Sequence, residues 1–302
     1  MITLNYYETV KTHPQVFPQL QCKDLLFAGY RCPAIDRLLG KWSHHSYIYY
    51  VISGKMAYHT PGQSWILTAG KAMFVKKGAV IMEKFFEEEL CILSFFIPDT
   101  YMCSFLRQNL AVLQNCASFN QNNDIVLPLD VTDILKGYFH SLLPYFSAEQ
   151  RPSEDLLELK FRELLFNILT NPANHCLNEY LQSLLAAHED GLQEIMENNC
   201  LYNLSLVDYA KLCNRSLSSF KRDFYSVYKT NPGHWLLMKK LSYSHRLLLT
   251  TDKSVNDITI ESGFENSTHF SKAFKKHFGL SPVQYRNQAS ISQDAKNAVI
   301  PF

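Results

Sequence analysis

The sequence predicts an α+β fold with two parts, a β-rich first half carrying packed helices and an all-α last third. In the first half, short apolar and aromatic runs follow one another at intervals of about 8–12 residues and stop at Gly- or Pro-containing turns. In the last third, apolar residues recur at helical spacing within an internal repeat. A chain of 302 residues suggests two domains, on a prior of about 100–200 residues each.

The β-rich half is built from runs of apolar, aromatic and β-branched residues, which favour strands. These runs are 47–52, 56–59, 65–67, 72–75, 79–82 and 90–96. Several short strands at this spacing predict a small antiparallel barrel or sandwich.

Helical spacing begins after Pro98, with candidate helices at 101–114, 131–146 and 153–169. Ser153 is suited to cap the third, because acidic residues follow it in the first turn. The apolar side of that helix could pack on the β-rich core or on a second subunit.

The charge is distributed unevenly along the chain. Residues 202–288 hold 13 basic and 6 acidic residues, a net charge of +7, whereas residues 1–201 carry −6. A basic last third on an acidic body predicts that the last third binds a polyanion.

Composition argues against several other classes of protein. No run approaches the ~18 apolar residues of a membrane span, and the first residues lack a secretory signal, so we expect a cytoplasmic protein. The eight cysteines include no Cys-x-x-Cys pair, so neither a zinc ribbon nor a disulfide framework is expected.

The last third contains two copies of one aromatic pattern, offset by 50 residues. Phe220, Phe224, Tyr228 and Pro232 are each four apart, and so are Phe270, Phe274, Phe278 and Pro282. Aromatic residues at this spacing form one stripe on a helix, and the proline ends that helix.

A shorter helical segment precedes each aromatic stripe. Ser205 and Ser254 are suited to cap these first helices, and Ser216 and Asn266 to cap the second ones. Two capped helices around a tight turn form a helix-turn-helix, so the repeat predicts two such units joined by a helix at about 234–249. The first turn lacks glycine, but Asn214 tolerates a left-handed backbone. The alternative is a plain helical bundle.

The faces opposite the stripes carry short polar and basic side chains, which can hydrogen-bond base edges and phosphates. They are Ser218, Lys221 and Arg222 in the first copy, and Ser267, Thr268, His269, Lys272 and Lys275 in the second.

Over residues 190–288 the sequence resembles the AraC/XylS family of bacterial regulators. The residues that carry the resemblance are Ile258, Gly263-Phe264, Phe270, Phe274-Lys275-Lys276, Phe278-Gly279, Ser281-Pro282 and Tyr285-Arg286, with Ala210, Phe220, Phe224, Pro232 and Arg246 upstream. Thr259 stands where the family usually has alanine.

The resemblance implies a sequence-specific transcription regulator, which we expect to be an activator, to work with RNA polymerase and to be a homodimer at the bacterial nucleoid. It implies that the two recognition helices enter successive major-groove segments of promoter DNA. The base contacts it implies are Ser218, Lys221, Arg222, Ser267, Thr268, His269 and Lys272, and the phosphate contacts are Arg215, Ser216 and Lys275. No catalytic residue, cofactor or enzymatic activity is expected.

The resemblance also implies a cupin-like barrel in the first half. Enzymatic cupins bind a metal through two histidines one residue apart, but His44 and His45 are adjacent and on a strand would face opposite ways. We therefore expect no metal. His44, Tyr47 and Tyr49 are candidates for binding a small-molecule effector, although core packing explains the tyrosines equally well.

The predicted domains are a cupin-like regulatory and dimerisation domain at 1–170, a linker at 171–189, the DNA-binding domain at 190–288 and a tail at 289–302. Two other functional classes stand as alternatives. A cupin enzyme with a helical appendage needs a metal-ligand set or an acid/base pair, and neither is visible in the sequence. The other is a sensor whose first half docks a regulatory protein.

Overall fold

A computed structural model describes residues 3–31, 37–85, 87–112, 124–148, 150–186 and 191–288. The described chain divides into two compact units, one spanning Thr3–Gln193 and the other beginning at Glu194. We call them the N-terminal unit and the C-terminal unit. The predicted tail at 289–302 lies outside the described residues.

The N-terminal unit contains two sheets. Its strands are β1 (Thr3–Asn5), β2 (Gln19–Cys22), β3 (Leu25–Arg31), β4 (Leu38–Ser43), β5 (Ser46–Ser53), β6 (Lys55–His59), β7 (Ser64–Thr68), β8 (Ala72–Val75), β9 (Gly78–Phe85), β10 (Cys91–Ile97) and β11 (Val126–Leu129). One sheet has the order β1-β4-β9-β6-β7 and the other β11-β8-β5-β10-β3-β2. Strand β1 pairs with β4 in parallel, and the other described pairs are antiparallel.

Strand β5 is buried on both faces. Tyr47 and Tyr49 point into a core that also holds Tyr58 and Val80 from the other sheet, whereas Tyr50 points into the core beneath the helices. Because side chains alternate along a strand, a strand between two cores is apolar throughout, as 47–52 is. Among the described residues the two sheets pack face to face and are not hydrogen-bonded into one closed barrel.

The helices that follow β10 cover the outer face of the six-stranded sheet, whereas the helix at Tyr6–Thr12 packs in the core between the sheets. The helices of this unit are α1 (Tyr6–Thr12), α2 (Asp99–Gln108), α3 (Asp133–Ser147), α4 (Glu154–Leu169) and α5 (His175–Ala186). The Ser153 side chain accepts from Leu156 N, so the predicted cap of α4 is confirmed. Phe161 of α4 packs against Phe27 of the sheet, with ring centroids 5.5 Å apart, which places the apolar side of α4 on the core.

The segment predicted as a linker, 171–189, instead contributes α5 to the N-terminal unit. Leu177 and Leu181 are buried in the same core as α4. The Asn171-Pro172 pair does end α4, but Asn174 Nδ2 donates to Ile168 O at 3.0 Å and Asn178 Nδ2 to Leu169 O at 3.1 Å. These bonds satisfy the last carbonyls of α4 and turn the chain directly into another packed helix.

The C-terminal unit is helical throughout its regular elements. Its helices are α6 (Gly191–Asn199), in which the division between the units falls, α7 (Leu206–Leu212), α8 (Leu217–Tyr228), α9 (Pro232–Thr250), α10 (Val255–Glu261) and α11 (Ser267–Phe278), followed by a helical stretch at 282–288. No helix of the described ranges is both long and apolar enough to cross a membrane.

Candidate nucleic-acid interface

The first helix-turn-helix comprises α7 and α8. Ser205 and Asp208 form a reciprocal capping box at the start of α7, with Ser205 Oγ accepting from Asp208 N at 3.2 Å. Asn214 makes the turn with a φ of 53°, and Ser216 Oγ caps α8 by accepting from Ser219 N at 3.3 Å. Both predicted caps and the left-handed Asn214 are therefore confirmed.

The second helix-turn-helix comprises α10 and α11. Ser254 Oγ accepts from Asp257 N at 3.1 Å, Gly263 makes the turn with a φ of 76°, and Asn266 Oδ1 accepts from His269 N at 2.8 Å. Thr259, the departure from the family pattern, donates its hydroxyl to Val255 O at 2.8 Å. Because that buried hydroxyl has a partner, threonine fits at this position without leaving a polar group unpaired.

The aromatic stripes are core, as the repeat predicts. Phe220, Phe224, Phe270 and Phe274 are all fully buried. Helix α9 packs against both stripes, since Trp235 contacts Phe224 with ring centroids 5.8 Å apart and the later leucines of α9 lie in one cluster with Phe270 and Phe274. The linking helix therefore belongs to the cores of both helix-turn-helix units.

The exposed face of α8 carries the predicted side chains. Ser218, Lys221 and Arg222 are exposed, and 78% of the Arg222 side chain is accessible to solvent. Tyr225, one turn further along the same face, is 60% exposed. Tyr225 was not among the predicted contacts, although its repeat position corresponds to Lys275, which was.

Asp223 joins the arginines of the first unit and was also missed. Its carboxylate accepts from Arg215 Nε at 3.0 Å and from Arg222 Nε at 3.2 Å, and from the Ser219 hydroxyl at 3.1 Å. Desolvation raises the pKa of Asp223, but the hydrogen bonds from Ser219 and Arg222 and the nearby positive charges outweigh it and lower that pKa. Arg215, predicted to contact phosphate, is mostly buried in this arrangement, with 19% of its side chain exposed.

The exposed face of α11 is more basic and carries no acid. Its exposed predicted residues are Ser267, Thr268, His269, Lys272 and Lys275, and Lys276 joins them. The ion pairs of the described C-terminal unit all involve other lysines and arginines. The α11 lysines therefore present their charge to solvent.

The effector candidates Tyr47 and Tyr49 lie inside the N-terminal unit around a buried lysine. Lys41 has no exposed surface, and its Nζ donates to Tyr49 Oη at 3.1 Å and lies 3.9 Å from the centre of the Tyr6 ring. The Tyr49 hydroxyl donates in turn to Tyr6 Oη at 2.9 Å. Burial raises the pKa of Tyr47 and of Tyr49, so both are neutral at physiological pH.

His44 and His45 lie in the turn between β4 and β5. The expectation that they face opposite ways was wrong, because β4 ends at Ser43 and strand alternation does not extend to them. Their ring centroids are 4.3 Å apart, and both rings pack against Tyr7. Burial, and then the charge of His44, lowers the pKa of His45 to about 4. Within the described ranges no group of three or more His, Cys, Asp or Glu side chains is placed to hold a metal ion.

Two protein-family descriptions match the chain. The ExsA N-terminal regulatory domain matches residues 46–199, and a helix-turn-helix domain matches residues 209–288. The first match covers just over half of the chain, and the second covers most of the double helix-turn-helix.

Similar proteins extend over most of the chain. The thermoregulatory protein LcrF of Yersinia pestis is 26% identical over 239 residues, which cover 79% of this chain and 88% of LcrF. The transcriptional regulator ExsA of Pseudomonas aeruginosa is 26% identical over 250 residues, 83% of this chain and 88% of ExsA. The lactose operon transcription activator of Staphylococcus xylosus is 24% identical over 257 residues, 82% of this chain and 85% of the activator.

Among solved structures, an apo variant of ToxT from Vibrio cholerae covers 87% of this chain and 97% of ToxT, at 15% identity and a TM-score of 0.43. The functional match thus rests on the family descriptions and the sequence relatives. With its two capped helix-turn-helix units and its matched regulatory domain, the chain belongs to the AraC/XylS family of transcription regulators and carries an ExsA-type N-terminal regulatory domain.

Proposed function

We propose that this regulator reads promoter DNA by placing α8 and α11 in two successive major-groove segments on one face of the duplex. The observation that carries the proposal is the two-sidedness of both helices, whose phenylalanines are fully buried while hydroxyl and basic side chains cover the opposite face. Helix α9, with 19 residues, is about 28 Å long. That length is comparable with the roughly 34–36 Å between successive major-groove segments.

The proposed contacts follow the exposed faces. Base edges are read by Ser218, Lys221 and Arg222 on α8, and by Ser267, Thr268, His269 and Lys272 on α11. Ser216 and Lys275 contact phosphates, and Lys276 and Tyr225 extend the two faces. Arg215 was predicted to contact phosphate, but its bond to Asp223 supports a positioning role for it instead.

The two faces are suited to different tasks. The guanidinium of Arg222 is oriented by Asp223, and an oriented guanidinium can make the bidentate contact that distinguishes guanine. The lysines of α11 are exposed and unconstrained by acids, which suits binding to phosphates of any sequence. We therefore assign most of the sequence discrimination to α8 and most of the electrostatic anchoring to α11.

Activation is the proposed direction of regulation, because a relative that covers most of the chain is described as a transcription activator. Recruitment of RNA polymerase in the bacterial cytoplasm, at the nucleoid, and dimerisation through the N-terminal unit complete the proposal.

Binding is tested by titrating the full-length protein against a pool of genomic promoter fragments at two salt concentrations, with fluorescence anisotropy as the readout. We expect a subset of fragments to bind more tightly than the rest of the pool. Uniform binding of all fragments contradicts sequence-specific reading, and the absence of any binding contradicts the proposal as a whole and favours a protein-interaction module.

Effector sensing by the N-terminal unit is a second candidate function. The observation that favours it is the set of polar groups inside the sandwich, where Lys41, Tyr49 and Tyr6 are hydrogen-bonded away from solvent. A thermal-shift screen with sugars, aromatic acids and fatty acids tests this function. A ligand that stabilises the protein, but not a Tyr49→Phe variant, supports it, and an unresponsive screen favours control by a partner protein.

A further inference from the structure

The segment that precedes the first helix-turn-helix contacts the turn of the second one, so the two units are connected by more than α9. The chain between α6 and α7 passes against the turn of the second unit, where a Cβ added to Gly263 would lie 2.0 Å from the carbonyl oxygen of Leu201. No side chain fits in that space, so the backbones of the two segments are in contact.

Two side-chain hydrogen bonds fasten the same place. Lys240 Nζ, from the middle of α9, donates to Gly263 O at 2.7 Å. Asn203 Nδ2 donates to Glu265 Oε1 at 2.9 Å, linking residues 62 apart in the sequence. We call Leu201, Asn203, Lys240, Gly263 and Glu265 the brace.

The segment that carries Leu201 and Asn203 of the brace is also held by the first helix-turn-helix, through α7. Tyr209 of α7 is fully buried and donates its hydroxyl to Asn199 O at 2.7 Å, just before the segment that reaches Gly263. On α9, Lys239 Nζ pairs with Glu197 of α6 at 2.6 Å. A continuous set of contacts therefore runs from α7 through residues 197–203 to the turn that precedes α11.

Glycine at position 263 is explained by this contact rather than by the turn alone. The first turn adopts a left-handed backbone with Asn214 at a φ of 53°, so that geometry does not by itself require glycine. What distinguishes Gly263 is the Leu201 carbonyl oxygen, which occupies the position of a side chain.

We propose that the brace fixes the separation and rotation of α8 relative to α11, and thereby determines the spacing of DNA half-sites that the protein accepts. The inference rests on the proposed function, since it assigns a spacing rule to the two reading helices. One inserted base pair moves the second half-site by about 3.4 Å along the duplex and turns it by about 34°. Two recognition helices held rigidly by the brace cannot follow both displacements. Two recognition helices connected by α9 alone can move relative to each other and so reach the displaced half-site.

The first test measures the reader without DNA. A noncanonical amino acid that carries a spin label replaces Ser226 on α8 and Lys276 on α11 of the full-length protein. The distribution of distances between the two labels is measured by double electron–electron resonance. We expect a narrow distribution for the parent protein and a broader or shifted one for Asn203→Ala combined with Lys240→Met. Lys253→Met is the matched control, because it breaks the ion pair between Lys253 and Glu261 of α10 and touches no residue of the brace. We expect it to leave the distribution unchanged. An unchanged distribution in the double variant, with the fold verified by circular dichroism, overturns the proposal.

The second test uses an operator selected from promoter fragments, with zero, one or two base pairs inserted between its half-sites. We expect the parent protein and the Lys253→Met control to lose about tenfold or more in affinity on the first insertion, and the double variant to lose less than about threefold. Equal spacing profiles for parent and double variant overturn the inference while leaving sequence-specific binding intact. If no fragment is selected at all, the proposed function fails, and the distance measurement still decides whether the brace holds the two helices.

Discussion

The first helix-turn-helix turns at Asn214 and ends its recognition helix at Lys229, whereas the second turns at Gly263 and ends at Gly279. All four residues have positive φ, between 53° and 83°. The backbone geometry is thus shared, but the residues that provide it differ. At 263 the neighbouring Leu201 carbonyl excludes a side chain, while a Cβ at 279 would meet nothing within 4 Å. Similar local conformations can therefore be required by different neighbours.

The DNA-facing sides differ in a second way. Asp223 holds Arg215 and Arg222 on the first unit, and its repeat position in the second unit is Ala273. Helix α8 accordingly presents an oriented arginine, and α11 presents three lysines without an acid. We therefore propose that the first helix-turn-helix contributes more to sequence discrimination and the second more to electrostatic attraction to DNA.

The largest expected effect is a loss of stability on substitution in the aromatic stripes, which both helix-turn-helix units contain. Phe224→Ala and Phe274→Ala each remove a fully buried ring from equivalent stripes, which costs about 3–5 kcal/mol in comparable cores. Hydrogen exchange should show loss of protection that is strongest in the unit that carries the substitution. A loss confined to one of the two variants contradicts the equivalence of the stripes.

The turns provide the next comparison, through Asn214→Gly and Gly263→Asn. Both new residues tolerate a left-handed backbone, so turn geometry alone predicts small effects for both. The Leu201 contact predicts that Gly263→Asn lowers the melting temperature clearly, while Asn214→Gly changes it little. Similar melting temperatures for the two variants would show that the Leu201 contact does not require glycine at 263.

A smaller effect is expected at the ends of the recognition helices. Lys229 is left-handed with a φ of 54°, a conformation that costs a non-glycine residue about 1 kcal/mol. Lys229→Gly should therefore stabilise the protein by up to about 1 kcal/mol, and Gly279→Ala should destabilise it by a similar amount. Chemical denaturation monitored by fluorescence measures both, and destabilisation by Lys229→Gly contradicts the assigned cost of the left-handed lysine.

Asp223→Asn should have the smallest effect, with a rise in non-specific DNA affinity and a fall in specificity. It removes a negative charge from the DNA-facing side, so affinity for non-specific DNA rises by less than about fivefold. It also releases Arg222 and Arg215, so the ratio of specific to non-specific affinity falls. Because the pKa of Asp223 is lowered, the carboxylate is ionised at neutral pH and the effect appears there. A rise in both affinities by the same factor shows that Asp223 does not orient the arginines.

Local patterns made much of the C-terminal unit predictable. Caps such as Ser205 and Asn266 accept a hydrogen bond from a residue three positions later, and each aromatic stripe lies within one helix. Both features can therefore be inferred from residues that are close in the sequence. The Asn214 turn was predictable for the same reason. The aromatic repeat then placed the polar faces opposite the core.

Contacts between distant segments were not predictable in this way. Leu201 meets Gly263 from another part of the chain, and Asp223 of α8 meets Arg215 eight residues earlier, which is neither a capping distance nor a three- or four-residue helical spacing, so no simple pattern marks either pair. Strand β2 was missed because Gln19–Cys22 is short and alternates with glutamines. Lys41 was missed because a lysine in a strand is ordinarily exposed, and its burial depends on tyrosines from other strands.

The central claim, that the two helix-turn-helix units divide discrimination and anchoring, is tested most directly by one variant in each unit. Arg222→Ala, which removes a proposed base contact, and Lys275→Ala, which removes a proposed phosphate contact, are compared in the full-length protein on a selected operator and on scrambled DNA, over a range of salt concentrations. We expect Arg222→Ala to cost about 1–3 kcal/mol on the operator and much less on scrambled DNA. Lys275→Ala should weaken both by a similar factor and reduce the slope of log affinity against log salt by about 1. Equal behaviour of the two variants on both DNAs would contradict the division of roles.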